Sequence, residues 1–163
     1  MTDDWVCTMA HKRTDFAPGL SKPLLPPRAA KKNHDSDRAL FATPILVVED
    51  ESMIAWMLEN VLLDAGFTTV ELASTGEDAE QIAATDRPEL IISDVNLGRG
   101  KDGIAAARAI RAAHGPVPLI FVTAYADDAI RERLAAELPG AQLLRKPVDE
   151  ATLVRAVMRA LAN

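Results

Sequence analysis

Between Thr43 and Asn163, short apolar runs rich in β-branched residues alternate five times with stretches of helical periodicity, and this alternation limits the folds open to the chain. Ile45-Leu46-Val47-Val48 ends in charge at Glu49-Asp50, and Glu89-Leu90-Ile91-Ile92-Ser93 ends in the same way at Asp94. Pro118-Leu119-Ile120-Phe121-Val122-Thr123 is a third such run, and Ala141-Gln142-Leu143-Leu144-Arg145 a weaker one. Thr68-Thr69-Val70-Glu71-Leu72 alternates as an outer strand does. Continuous apolar runs of this length fit parallel strands covered on both faces.

The intervening stretches carry helical spacing. Ile54, Leu58, Val61 and Ala65 share one face, with Gly66 as the stop. Thr75, with Asp78 three residues on, reads as an N-cap with a capping-box-like acid. Ile104, Ala107, Ile110 and Arg111 lie on a helix that ends before Gly115-Pro116. Ile130, Leu134 and Leu138 form another, closed by Pro139-Gly140, and Val154, Val157 and Leu161 the last. Alternation of this kind predicts an α/β domain, a parallel sheet with helices on both faces and right-handed crossovers.

Ligands of such sheets bind beyond the carboxyl ends of the strands, where the strand order reverses. At those ends stand Glu49-Asp50, Asp94, Thr123 and Lys146, so three carboxylates, a hydroxyl and an ammonium converge on one edge. Taken singly, an Asp at a strand end is more often a helix N-cap and a Lys before Pro a surface residue. Together, on four separate strands, they point to chemistry. Three packed acids repel, and one would hold a proton unless a cation intervened. Mg²⁺ suits the set, because it takes oxygen ligands, uses few carboxylates and keeps several waters. A carboxylate can itself attack phosphorus to give an acyl phosphate. The transferred group spreads charge over three oxygens, for which the cation, the Lys146 ammonium and the Thr123 hydroxyl are suited partners.

The first 43 residues differ in character. They hold seven Lys or Arg against five Asp, a net +2, which leaves −8 of the total −6 on the rest. Pro18 to Pro27 reads as loop or polyproline, and Lys31 to Arg38 has little to bury. Residues 1–43 are therefore expected to be a disordered basic, Pro-rich tail ahead of a domain at 44–163. A chain starting at Ala42 is expected to keep its melting temperature. Cys7, the single cysteine, makes no internal disulfide. With no apolar run of about 18 residues and no secretory pattern, the reading is a cytoplasmic protein without a membrane partner. The acidic balance does not favour DNA.

Five segments, in this order, resemble the response-regulator receivers of two-component signalling: Leu46-Val47-Val48-Glu49-Asp50-Glu51, Ile91-Ile92-Ser93-Asp94-Val95-Asn96-Leu97, Asp102-Gly103-Ile104, Phe121-Val122-Thr123-Ala124-Tyr125 and Leu144-Arg145-Lys146-Pro147. The resemblance implies a flavodoxin-like (βα)5 three-layer sandwich with strand order 2-1-3-4-5. It implies Asp94 as phosphoacceptor, and Mg²⁺ held by Glu49, Asp50, Asp94 and the backbone carbonyl of Asn96. Thr123 matches the switch hydroxyl and Lys146 the phosphate-pairing lysine, in a Lys146-Pro147 bond that is usually cis. The implied partners are a sensor histidine kinase or histidine phosphotransfer protein and an unknown downstream protein, with a monomer or weak dimer as the assembly. The chain is read as a signalling protein rather than an enzyme, with output by protein contact, since no DNA-binding segment is expected after the last helix.

Three departures from the family pattern matter. Glu49-Asp50 replaces the commoner Asp-Asp. The Leu97–Gly103 loop is one residue longer than usual, with Gly98 where Pro is typical, and is expected to be mobile. Leu143 stands where an aromatic often swings inward, which leaves Tyr125 as a candidate substitute. Two rivals are a pseudo-receiver that binds without being phosphorylated and a haloacid-dehalogenase-like phosphatase. The second needs an Asp two residues after the nucleophile, where this chain has Asn96.

Overall fold

The structure, a computed structural model, describes residues 34–98 and 100–162. The expectations for residues 1–33, including the Pro-rich segment and Cys7, lie outside the described residues. The elements run α1 (His34–Phe41), β1 (Ile45–Val48), α2 (Ser52–Asp64), β2 (Val70–Ala73), α3 (Gly76–Thr85), β3 (Leu90–Ser93), α4 (Gly103–His114), β4 (Leu119–Thr123), α5 (Asp128–Glu137), β5 (Gln142–Arg145) and α6 (Glu150–Leu161). All strand pairs are parallel and the order is β2-β1-β3-β4-β5, the flavodoxin-like order. Among the described residues no helix is long and apolar enough to cross a membrane.

The continuous apolar runs are explained by the two faces they serve. Successive side chains of a strand point to opposite faces, and in the inner strands both faces are covered. Leu46, Val48, Ile91, Leu119 and Phe121 join one core cluster with residues of α3, α4 and α5. Ile45, Val47, Leu90, Ile92, Ile120 and Val122 join the other with residues of α2 and α6. Every residue of β1, β3 and β4 is buried. Each fully buried Val, Leu, Ile or Phe side chain contributes about 1.5–3 kcal/mol. The edge strand β2 leaves both Glu71 and Leu72 exposed, so its burial does not follow the alternation of its sequence.

The helix ends follow local chemistry. Thr75 caps α3 by accepting the Asp78 N–H at 3.1 Å, and Asp102, Asp127 and Asp149 cap α4, α5 and α6 in the same way. Gly66 and Gly115, just past α2 and α4, stand at φ +103° and +88°, conformations that favour glycine.

The segment expected to be a disordered tail, residues 1–43, includes a described helix. Residues 34–41 form helix α1, and its last residue is part of the fold. The Phe41 ring packs edge-on against Phe67 at 5.5 Å between centroids, and a Cβ on Gly66 would meet that ring at 3.3 Å. The Phe41 carbonyl accepts the Thr68 N–H at 2.8 Å and its hydroxyl at 3.1 Å. One aromatic ring and two hydrogen bonds outweigh the polar composition that argued for disorder. Contrary to the sequence expectation, a chain starting at Ala42 is now expected to melt lower, and Phe41→Ala to cost about 1–2 kcal/mol for a half-buried ring. Scanning calorimetry should show a fall of roughly 3–8 °C, and an unchanged transition would return residues 34–43 to the tail.

Candidate functional site

In this strand order the chain leaves β1 first for β2 and later for β3 on the other side, so the switch point lies between the carboxyl ends of β1 and β3. Glu49 and Asp94 follow those two strands directly. The Asp94 N–H donates to the Val48 carbonyl at 2.9 Å, which ties the acceptor loop to the neighbouring strand. Lys146 follows β5, two strands away from β3. Its N–H donates to the Thr123 carbonyl at 2.9 Å, so the pairing of β5 on β4 carries it to the same edge. The Lys146-Pro147 bond is cis, as expected from the resemblance.

Three side chains meet there. The Lys146 Nζ donates to Asp94 Oδ2 at 2.6 Å and to Glu49 Oε2 at 2.8 Å. The other Asp94 oxygen, Oδ1, accepts the Asn96 N–H at 3.1 Å. Thr123 is buried on the adjacent strand, and its hydroxyl accepts the Tyr125 N–H at 3.3 Å. Asp50 is exposed, and its carboxylate is not hydrogen-bonded to this cluster. It lies against Gly98, where a Cβ would come within 2.6 Å of Oδ2, so the glycine leaves room for the carboxylate.

The electrostatics follow from two acids sharing one cation. Glu49 is 2% exposed, and burial raises its pKa; the hydrogen bond and charge of Lys146 offset only part of this, and the Asp94 charge adds to it. Burial works against the Lys146 ammonium, but its hydrogen bonds to Asp94 and Glu49 outweigh that and raise its pKa. The lysine therefore stays charged. Glu49 Oε1 is buried without a hydrogen-bond partner. An orphaned carboxylate oxygen is costly unless a cation or proton meets it.

That orphan, the exposed Asp50 and the Asp94 carboxylate are hard oxygen donors of the kind Mg²⁺ takes. Among the described residues no three His, Cys, Asp or Glu side chains already form a metal cage. The donor set fits Mg²⁺, with Glu49, Asp50, Asp94 and the Asn96 carbonyl as the residues that would hold it.

The sequence did not single out the parts beneath the acceptor. Gly103, the first residue of α4, donates its N–H to the Val95 carbonyl at 2.9 Å. A Cβ there would land on the Asp94 carbonyl oxygen and the Ser93 hydroxyl. The Ser93 hydroxyl donates to that same carbonyl at 2.7 Å. The glycine after Asp102 was the available signal, since helix interiors disfavour glycine unless something approaches closely. The long loop gains anchors: the Lys101 Nζ donates to both Glu80 oxygens at 2.7 and 3.0 Å, and its N–H to Glu77 at 3.3 Å. Leu143 is partly buried against the core, and Tyr125 is 68% exposed.

Comparison with known proteins agrees with this geometry. The family model described as the response regulator receiver domain matches residues 45–158. The DNA-binding transcriptional regulator NtrC of Escherichia coli (strain K12) is 33% identical over 120 residues, which is 73% of this chain and 25% of NtrC. The phyllosphere-induced regulator PhyR of Methylorubrum extorquens is 35% identical over 123 residues, 74% of this chain and 44% of PhyR. The chain thus spans less than half the length of either relative. Among solved structures, Vibrio cholerae chemotaxis protein CheY4 superposes with a TM-score of 0.66 at 30% identity, covering 72% of this chain and 98% of that one. By its fold, the chemistry at its switch point and these likenesses, the chain belongs to the response regulator receiver domain family of two-component systems.

Proposed function

We propose that this receiver is a phosphoacceptor switch in which Asp94 takes a phosphoryl group from a histidine kinase or histidine phosphotransfer protein. One observation carries the reading. Asp94 lies at the switch point with one oxygen on the Asn96 N–H and the other on Lys146, beside a buried Glu49 oxygen that lacks a partner. One carboxylate oxygen of Asp94 attacks phosphorus as the bond from phosphorus to the donor breaks, and the leaving group departs with that electron pair. Lys146 then exchanges a carboxylate contact for a phosphoryl oxygen. The Thr123 hydroxyl gives up the Tyr125 N–H and donates to another. Mg²⁺, when bound, supplies positive charge against the phosphoryl oxygens.

In this reading the domain turns over no external substrate, works in the cytoplasm and signals by contact with a downstream protein rather than with DNA. Incubation with acetyl phosphate and Mg²⁺ is expected to give an acid-labile phosphoryl label, and Asp94→Asn to lose it entirely, because an amide forms no acyl phosphate. Labelling of the variant at the wild-type rate would place the acceptor elsewhere. No label on the wild-type chain would make the domain a binding module that is never phosphorylated.

A further inference from the structure

Leu143 offers no ring to carry a signal from Thr123, yet a different set of contacts joins the acceptor loop to α5. Arg133, in the middle of α5, makes a forked ion pair with Asp102: Nη1 to Oδ2 at 2.6 Å and Nη2 to Oδ1 at 3.2 Å. Its Nε donates to Glu137 Oε1 at 2.8 Å, and the other Glu137 oxygen faces Arg108 of α4 at 3.4 Å. Asp102 is the N-cap of α4, and its Oδ1 also accepts the Ala105 N–H at 2.7 Å. The next residue is Gly103, which abuts the Asp94 carbonyl and holds Val95 by its N–H. Val95 precedes Asn96, whose N–H orients Asp94 Oδ1.

We infer that Arg133 is a positioning residue: through Asp102 and the first turn of α4 it sets the Asp94 carboxylate for phosphoryl transfer and links that carboxylate to α5. The magnitudes separate this from a stabilising role. The two side chains are 35% and 36% exposed, and pairs this open contribute little to stability. The fork is nevertheless bidentate and fixed at its other side by Glu137, which gives orientation where it gives little energy. The pair keeps Asp102 ionised: burial of Asp102 is outweighed by the Arg133 and backbone hydrogen bonds, which lower its pKa. The link is a continuous chain of contacts from helix to acceptor, each of them direct.

The inference rests on Asp94 being the acceptor, and the test separates the two. Arg133→Met removes the fork, while Asp102→Asn keeps an equally good N-cap and loses the charge. Each is expected to slow labelling from acetyl phosphate roughly threefold to tenfold, with the Mg²⁺ concentration for half-maximal rate unchanged. The double variant is expected to be no slower than either single one, because both break the same link. Without any phosphodonor, the Asn96 and Gly103 amide resonances of Arg133→Met are expected to shift. Wild-type rates in both variants, or effects that add in the double variant, would overturn the inference while leaving the acceptor in place. If the wild-type chain takes no label, the phosphoacceptor reading falls and the Asn96 amide decides alone: a shift upholds the link from α5, and an unshifted resonance removes it.

Discussion

Gly103→Ala is expected to lower stability by about 3 kcal/mol or more, at the upper end of what overpacking a core costs. The added methyl would meet the Asp94 carbonyl oxygen and the Ser93 hydroxyl, and the carbonyl belongs to the backbone of the acceptor loop. A flexible side chain would turn away; this loop is held by the Asp94 N–H on Val48 and cannot yield without giving up that bond. A domain of this size has only about 5–15 kcal/mol in hand. Gly140→Ala is the control, since a Cβ there meets nothing within 4 Å and the only strain is a φ of +85°. That costs about 1–2 kcal/mol. Urea unfolding with an unchanged slope should place the Gly103 variant at the lower midpoint, and equal midpoints would mean that the first turn of α4 is not packed on Asp94 as described.

Lys146→Met has the second large effect. Lys146 is the shared partner of two carboxylates whose side chains are 1% and 10% exposed, and its own side chain is 15% exposed. Removing one member of a buried pair leaves uncompensated charge, at a cost of about 3–5 kcal/mol. The sign with pH follows. Without the ammonium, Glu49 keeps the burial that raises its pKa and loses the contacts that lower it, so the folded state binds more protons as pH falls toward the ordinary carboxylate range. The deficit relative to the wild type is therefore largest at neutral pH and shrinks below about pH 5. Denaturant melts in a chelating buffer at several pH values measure it. A deficit independent of pH would show that Lys146 is held by packing rather than by Glu49 and Asp94.

Much of this molecule was legible in the sequence because a parallel sheet writes itself plainly. Ile45 to Val48 and Leu90 to Ser93 are apolar at nearly every position because both faces are buried, whereas on the edge strand β2 Leu72 is exposed despite being apolar. The switch-point rule brings Glu49, Asp94 and Lys146 to one place from the sequence alone. Helix α1 was missed because its sequence, HDSDRALF, is polar except at the end, where Phe41 and its carbonyl contact the domain. The orphaned Glu49 oxygen and the contact of Gly103 with Asp94 are properties of three-dimensional spacing that no pattern in the chain encodes. Arg133 reads as one more surface cation on a charged helix until α5 is laid beside the start of α4.

The most direct measurement reduces the labelled protein with borohydride, which converts an aspartyl phosphate to homoserine, and locates that residue by mass spectrometry of peptides. The expected result is homoserine at position 94 and nowhere else, formed only after incubation with acetyl phosphate and Mg²⁺. Homoserine at another acidic position, or none in a protein that carries label, would contradict the assignment of Asp94 as the acceptor.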